Sequence, residues 1–102
     1  MAKIQFKPST MLGPLPAVMV SCGDMQNSNI ITIAWVGIAC SQPTRVYISV
    51  RPDRHSHHLI KASGEYVINL TSEKLLPACD YCGIRSGRDI DKFAEMKLTK
   101  QS

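Results

Sequence analysis

No apolar run in this 102-residue chain is long enough to span a bilayer. The longest, Ile30 to Cys40, has Thr32 inside it. A helical membrane protein is thereby excluded, and a soluble, cytoplasmic protein is the expectation. The four cysteines, Cys22, Cys40, Cys79 and Cys82, lack the spacing of a disulfide framework and read as reduced thiols. A cleavable leader is not expected either, because Pro14 and Pro16 break the apolar stretch after Lys3 and Lys7. Repeats, linkers and low-complexity segments are absent. Aromatic residues are few, and Phe6, Trp35, Tyr47, Tyr66, Tyr81 and Phe93 do not lie along a basic stripe. A nucleic-acid-binding barrel, which stacks bases on such residues, is therefore the weakest reading, and no nucleic-acid partner is expected.

What is present is an ordinary globular balance, 44% hydrophobic and 20% charged, with a net charge of +4. That excess permits an anionic ligand without singling out a class. The length gives one domain, residues 1–102, with a single core.

Residues 1–16 read as an extended arm, since Pro8, Gly13, Pro14 and Pro16 forbid regular helix. Ala17 to Ser21 is a first buried strand, and Ile30 to Trp35 a second, with Gly37 marking a bulge or a close backbone approach. Arg45 to Arg51 alternates, placing Val46, Ile48 and Val50 on one face, until Pro52 stops it. A short helix over Ser56–Ala62 ends at Gly64, and Tyr66–Leu70 is the fourth strand. Thr71 or Ser72 can cap a following helix, despite Pro77. Ser86, with Asp89 three residues on, looks like the cap of a last helix presenting Ile90, Phe93 and Met96.

The informative stretch is Asn27 to Ile60. It joins two strand-like runs through Ser41-Gln42-Pro43 and then ends in the cationic cluster PDRHSHH. A buried strand that closes in arginines, histidines and a serine suits a flat ligand with an anionic tail. Flavin mononucleotide (FMN) fits that description. Arg51 and Arg54 flank Pro52, and a guanidinium fork can hold two phosphate oxygens. Ser56 adds a hydroxyl at a helix start, where backbone N–H groups are free. The bland alternative is a solvated basic turn. Thr32 is a lone hydroxyl in an apolar run and needs a partner, which a ligand oxygen or local backbone can supply. Trp35 serves core or dimer contact equally well.

Laid out together, NIITIAW, the Ser-x-Pro turn, VYISVRPDRHSHHLI, GEYVINL and YCGIRSGRDIDKF resemble the flavin reductase-like family, in particular its flavoredoxin branch. The resemblance runs from about Pro14 to Phe93 and keeps the order and spacing of its blocks. It implies a mainly β fold with short helices, the six-stranded Greek-key FMN-binding split barrel, and a homodimer with flavin near the interface. It also implies an FMN oxidoreductase that takes hydride from NADH or NADPH, or a flavoredoxin-like electron carrier passing electrons to flavin or a downstream acceptor. On this reading Asn29, Thr32, Ala34 and Trp35 line the cofactor along one strand. Ser49, Val50 and Arg51 offer backbone to the ring edge, while Arg54 and Ser56 take the phosphate. For Cys79 and Cys82 ordinary buried thiols rank first and a flavin-neighbouring role for Cys82 second, while Arg88 or Lys92 reaches the phosphate or a partner protomer. No side chain is assigned as catalytic acid or base, because hydride can pass directly to the flavin.

The strands that follow the DKF block in the family are missing here, so the barrel is expected to be C-terminally incomplete. Four strands in an open sheet leave edges for another segment or chain to cover. A non-catalytic flavin-binding or structural barrel fragment is the second reading. A zinc site built from His55, His57 and His58 with Cys79 and Cys82 ranks last, because both cysteines fall in a helix rather than a tight turn. No metal is expected.

Overall fold

Val18, Val20 and Cys22 alternate with Met19 and Ser21, a period of two that gives a strand two usable faces. A computed structural model of the chain describes residues 2–10 and 12–100, and there this segment is β1, Val18–Gly23. Met1, Met11, Gln101 and Ser102 lie outside the described residues, and with them the outermost ends of the expected domain and two positions of the arm. The rest of the arm carries no helix or strand.

β1 pairs antiparallel on one side with β2, Ser28–Ile33, and on the other with β5, Tyr66–Leu70, giving the order β2-β1-β5. The β1–β2 turn is held by Asp24, whose carboxylate accepts from the backbone N–H of Gln26 at 2.9 Å and of Asn27 at 2.6 Å. Gly23 supplies the positive φ of 90° that begins it.

The second sheet is the hairpin of β3, Val36–Ser41, with β4, Thr44–Ile48. Here the structure departs from the sequence reading. The second strand ends at Ile33 rather than Trp35, and Val36–Ser41 is a further strand that was not expected, so the chain has five strands among its described residues, not four. The bulge lies between Ile38 and Cys40. Gly37 is instead a close approach: a Cβ there would stand 2.8 Å from the Tyr47 hydroxyl oxygen. β4 also ends before Ser49, which leaves Ser49, Val50 and Arg51 outside the ladder. Ile48 and Val50 pack inward as the alternation implies, but Val46 remains 49% exposed.

Both faces of the three-stranded sheet are covered. Val18, Val20, Ile31 and Ile33 pack with Val36, Ile48, Val50 and Ile68. On the opposite face Met19 and Ile30 meet Ala78, Cys79 and Cys82 of helix α2, Leu76–Ile84, and Phe93 of α3, Lys92–Glu95. Helix α1, His55–Ser63, ends on Gly64, whose φ of 74° closes the turn as its N–H donates to Ile60 at 2.8 Å. A single 3-10 turn over Glu73–Leu75 feeds α2, with Pro77 in its first turn.

The cap of α3 differs from the expectation as well. Ser86 accepts at its hydroxyl from Arg88 N and shapes a turn. Asp91 is the residue that caps α3, its carboxylate accepting from the N–H of Phe93 at 3.1 Å and of Ala94 at 3.3 Å. We therefore expect Asp91→Ala to cost about 1 kcal/mol in urea denaturation, in the range for a lost N-cap. Ser86→Ala should cost less, and the reverse ranking would mean that the cap is misassigned.

Candidate functional site

β2 is an edge strand of its sheet, so one row of its backbone N–H and C=O groups has no strand partner. Along this edge lies a cavity of about 530 Å3, within the usual size of small-molecule sites. Asn29 and the run Ile31 to Trp35 form one wall, and the segment Ser49 to Arg51 another. The α1 start closes it with Asp53, Arg54 and His55; the α2 end and following loop close it with residues 82–88 and Lys92. Ser49 N–H donates to Trp35 C=O at 2.9 Å, which ties the two strand ends together at the cavity.

Ten of the eleven residues that the sequence singles out line this cavity: Asn29, Thr32, Ala34, Trp35, Ser49, Val50, Arg51, Arg54, Cys82 and Lys92. Ser56 does not. It is fully buried in the first turn of α1, and its hydroxyl accepts from Asn29 Nδ2 at 2.8 Å. That bond fixes Asn29 against α1 and makes Ser56 a positioning residue here. Thr32 directs its hydroxyl hydrogen to the carbonyl of Cys79, so it stitches β2 to α2 and retains only acceptor capacity toward the cavity.

Lys92 is the buried charge of the site. It is 3% exposed, and its ammonium donates to the Cys82 carbonyl at 2.8 Å. Cys82 lies in the last turn of α2, where carbonyls lack helical partners, so the cation also meets the negative end of that helix. Burial pushes the Lys92 pKa down; the nearby Cys82 thiol opposes that shift and Arg54 adds to it. One acceptor leaves two ammonium hydrogens for a ligand. His55 is likewise held below its ordinary pKa, first by burial, then by His58, Arg88 and Lys92. Burial pushes the Cys82 thiol up, against the pull of Lys92, which keeps it protonated near neutrality.

The loop after α2 brings in Arg88, named from the sequence beside Lys92, and Gly87, to which the sequence reading assigned no role at the site. Gly87 sits so close to Asn29 and His55 that a Cβ would collide with the Asn29 amide and stand 2.8 Å from His55 Cδ2. Arg88 Nη2 donates to the Asp53 carbonyl at 3.3 Å and pulls this loop over α1. Arg51 pairs with Asp53 at 3.0 Å, both exposed. A glycine between a serine and an arginine, SGR, was the available signal for a close approach.

No group of three or more His, Cys, Asp or Glu among the described residues is arranged to hold a metal. The four cysteines are free thiols.

The residues present suit an anionic, flat ligand: a buried ammonium with unused donors, the Arg54 guanidinium, and strand backbone beside them. The Lys92 environment gives a test with a defined sign. The folded state disfavours the charged amine, so its penalty is in force at neutral pH and fades as pH rises toward the unfolded pKa. Lys92→Met removes both that penalty and the Cys82 contact. The two losses oppose each other, and the unliganded protein should change in stability by less than about 1 kcal/mol. Inorganic phosphate should raise the Tm of the parent protein and not that of Lys92→Met. Equal stabilisation of both would remove Lys92 from the anion site.

The profile of the flavin reductase like domain matches residues 11–102. Among solved structures, the flavoredoxin of Desulfovibrio vulgaris (Miyazaki F) is 34% identical, with a TM-score of 0.84, covering 96% of this chain and 54% of its own. The flavoredoxin of Methanosarcina acetivorans is 22% identical, with a TM-score of 0.81, covering 90% and 50%. An FMN-binding protein of Thermus thermophilus with bound 1-cyclohex-2-enone is 18% identical, with a TM-score of 0.79, covering 92% and 53%. An uncharacterized protein of Pyrococcus abyssi is 28% identical over 89 residues, 87% of this chain and 51% of that one. The chain thus spans about half the length of the relatives it matches.

Proposed function

This chain belongs to the flavin reductase-like family, and we propose that it holds FMN in the cavity along the β2 edge and accepts hydride there from NADH or NADPH. Its fold is the mainly β split barrel with short helices found in the flavin-binding proteins it resembles. One observation carries the assignment: a nearly buried ammonium with two unused donors shares, with the Arg54 guanidinium whose charge acts on it, the lining of a cavity walled by open strand backbone.

FMN, when bound, supplies a two-electron acceptor for hydride. The chain supplies position and field. Lys92 and Arg54 anchor the phosphate, and the α1 start beside them carries no acid in its first turn to oppose an anion. Asn29, locked by Ser56 and overlain by Gly87, fixes the wall between phosphate and ring. The β2 edge and Ser49–Arg51 offer N–H and C=O groups to the ring margin. Donors aimed at the side of the ring where negative charge grows on reduction favour hydride acceptance.

The 34% identity to a flavoredoxin favours electron carriage as a second reading, in which the acceptor is a protein partner. Four free thiols fit the reducing cytoplasm. We take residues 1–102 as one flavin-binding unit and propose that it works as a homodimer. Ile38 at 77%, Val46 and Tyr47 at 49% and Leu70 at 81% exposure leave apolar surface for a second copy. Light scattering that reports a stable flavin-loaded monomer at micromolar concentration would refute the dimer.

Titration of the apo protein should give tighter binding of FMN than of riboflavin, since only FMN brings the phosphate. Arg54→Ala should weaken FMN by about 1.5–3 kcal/mol, roughly ten- to a hundredfold, while riboflavin binding and Tm hold. Cys79→Ser should leave both affinities alone, because Cys79 is buried against Thr71 and Thr32 outside the cavity lining. Equal affinity for FMN and riboflavin would sink the phosphate assignment. Bleaching of the yellow protein by NADH under anaerobic conditions separates a reductase from a carrier, which would stay oxidised.

A further inference from the structure

We propose that Arg85 forms a second anion-recognition point in this cavity, separate from the phosphate corner, and selects hydride donors that carry phosphate charge. The inference rests on the flavin reading above and specifies the second substrate of the same site.

The charge inventory of the cavity comes first. Five cations line it, Arg51, Arg54, Arg85, Arg88 and Lys92, against the one carboxylate of Asp53. Asp53 is paired with Arg51 at 3.0 Å. A terminal phosphate brings close to two negative charges. With FMN in place, a surplus of about two positive charges is left facing the cavity. A surplus of this size attracts a second anion and repels a cationic one.

Location comes next. Arg88 donates to the Asp53 carbonyl at 3.3 Å, next to Arg54, whose charge in turn acts on Lys92, and these cations make up the phosphate corner of the proposal. Arg85 is the C-cap of α2, beyond Ile84, with its guanidinium 6.0 Å from the centre of the Tyr81 ring. Among the described residues it has no carboxylate partner. The helix end that carries it packs on β2 through Gly83, where a Cβ would stand 3.2 Å from Thr32 Cβ. Arg85 follows on the same helix end and lines the cavity together with Thr32 and Trp35. Two exposed apolar side chains belong to the same lining, Ile84 at 70% and Trp35 at 43% exposure. A planar apolar head seated on them, with an anionic arm reaching Arg85, is the donor this arrangement takes: a dihydronicotinamide carrying a pyrophosphate. The bland role for Arg85 is to complement the negative end of α2 and cover Tyr81. That role predicts a change in stability and none in anion recognition.

The test uses the FMN-loaded chain, so that the phosphate corner is already filled. ADP, which presents the pyrophosphate alone, is titrated calorimetrically into the parent protein, Arg85→Gln and Arg85→Lys. We expect Arg85→Gln to weaken ADP about tenfold and to leave FMN affinity unchanged, as loss of one charge-assisted contact requires. Arg85→Lys, which keeps the charge, should stay within about threefold of the parent. In steady state, KM for NADH should rise with Arg85→Gln by the factor seen for ADP. The rate with the uncharged donor 1-benzyl-1,4-dihydronicotinamide should not move. Unchanged ADP affinity in Arg85→Gln, or an equal loss with both donors, would overturn the proposal. So would an Arg85→Lys variant as impaired as Arg85→Gln, because that pattern belongs to a structural arginine. Failure of the parent chain to bind FMN is read from its own titration and refutes the flavin assignment itself.

Discussion

A lysine ammonium taken almost wholly out of water is the constraint around which the rest of the molecule is arranged. Desolvating such a group is costly unless it is paired or hydrogen-bonded. Here it has one acceptor, the Cys82 carbonyl at the end of α2. The carboxylate of Asp91, one residue earlier, is committed to the first turn of α3, which places the Lys92 stem. A buried cation with spare donors favours an arriving anion twice, through attraction and because the desolvation has already been met in folding. The packing of Phe93 and Cys82 against Met19 and Ile30 holds the cation in that position.

The second constraint is the free edge of β2. Open edges invite pairing with other chains, and proteins cover them. This edge is covered by a cavity whose opposite walls are the Ser49–Arg51 segment and the loop after α2. A flat heteroaromatic ring with polar margins is a physical substitute for a neighbouring strand, because it meets the same row of N–H and C=O groups. The break between β2 and β3 at Ala34-Trp35 gives the edge its end, and the Ser49 to Trp35 bond keeps that end beside β4.

Short apolar, β-branched runs made β1, β5 and most of β2 legible, and the alternation that begins at Arg45 marked β4, since each face of the central sheet packs on its own layer. The β2–β3 break was not legible, because Ala34-Trp35 carries neither glycine nor proline and the run stays apolar across it. The cation cluster and Lys92 were readable as residue types. Their convergence depended on long-range contacts, such as Asn29 with Ser56 and Arg88 with Asp53, that no local pattern encodes. Ser56 illustrates the limit well. A hydroxyl beside a basic turn reads as a ligand contact, whereas the fold spends it on Asn29. Asp91 was eclipsed as a helix cap by the more familiar Ser-x-x-Asp spacing five residues earlier, where the chain forms a turn with Gly87 close against Asn29.

The lining also limits what its side chains contribute to the chemistry. Its carboxylate, Asp53, is held by Arg51; His55 is kept below its usual pKa and is neutral over much of the physiological range. The Cys82 thiol is kept protonated by burial despite Lys92. No lining group is therefore set up as a strong general base, and the cationic field opposes proton gain at His55. A site of this kind favours reactions in which charge arrives with the electrons, since a hydride brings a negative charge into a positive cavity. The selectivity of the site then rests on where its cations stand.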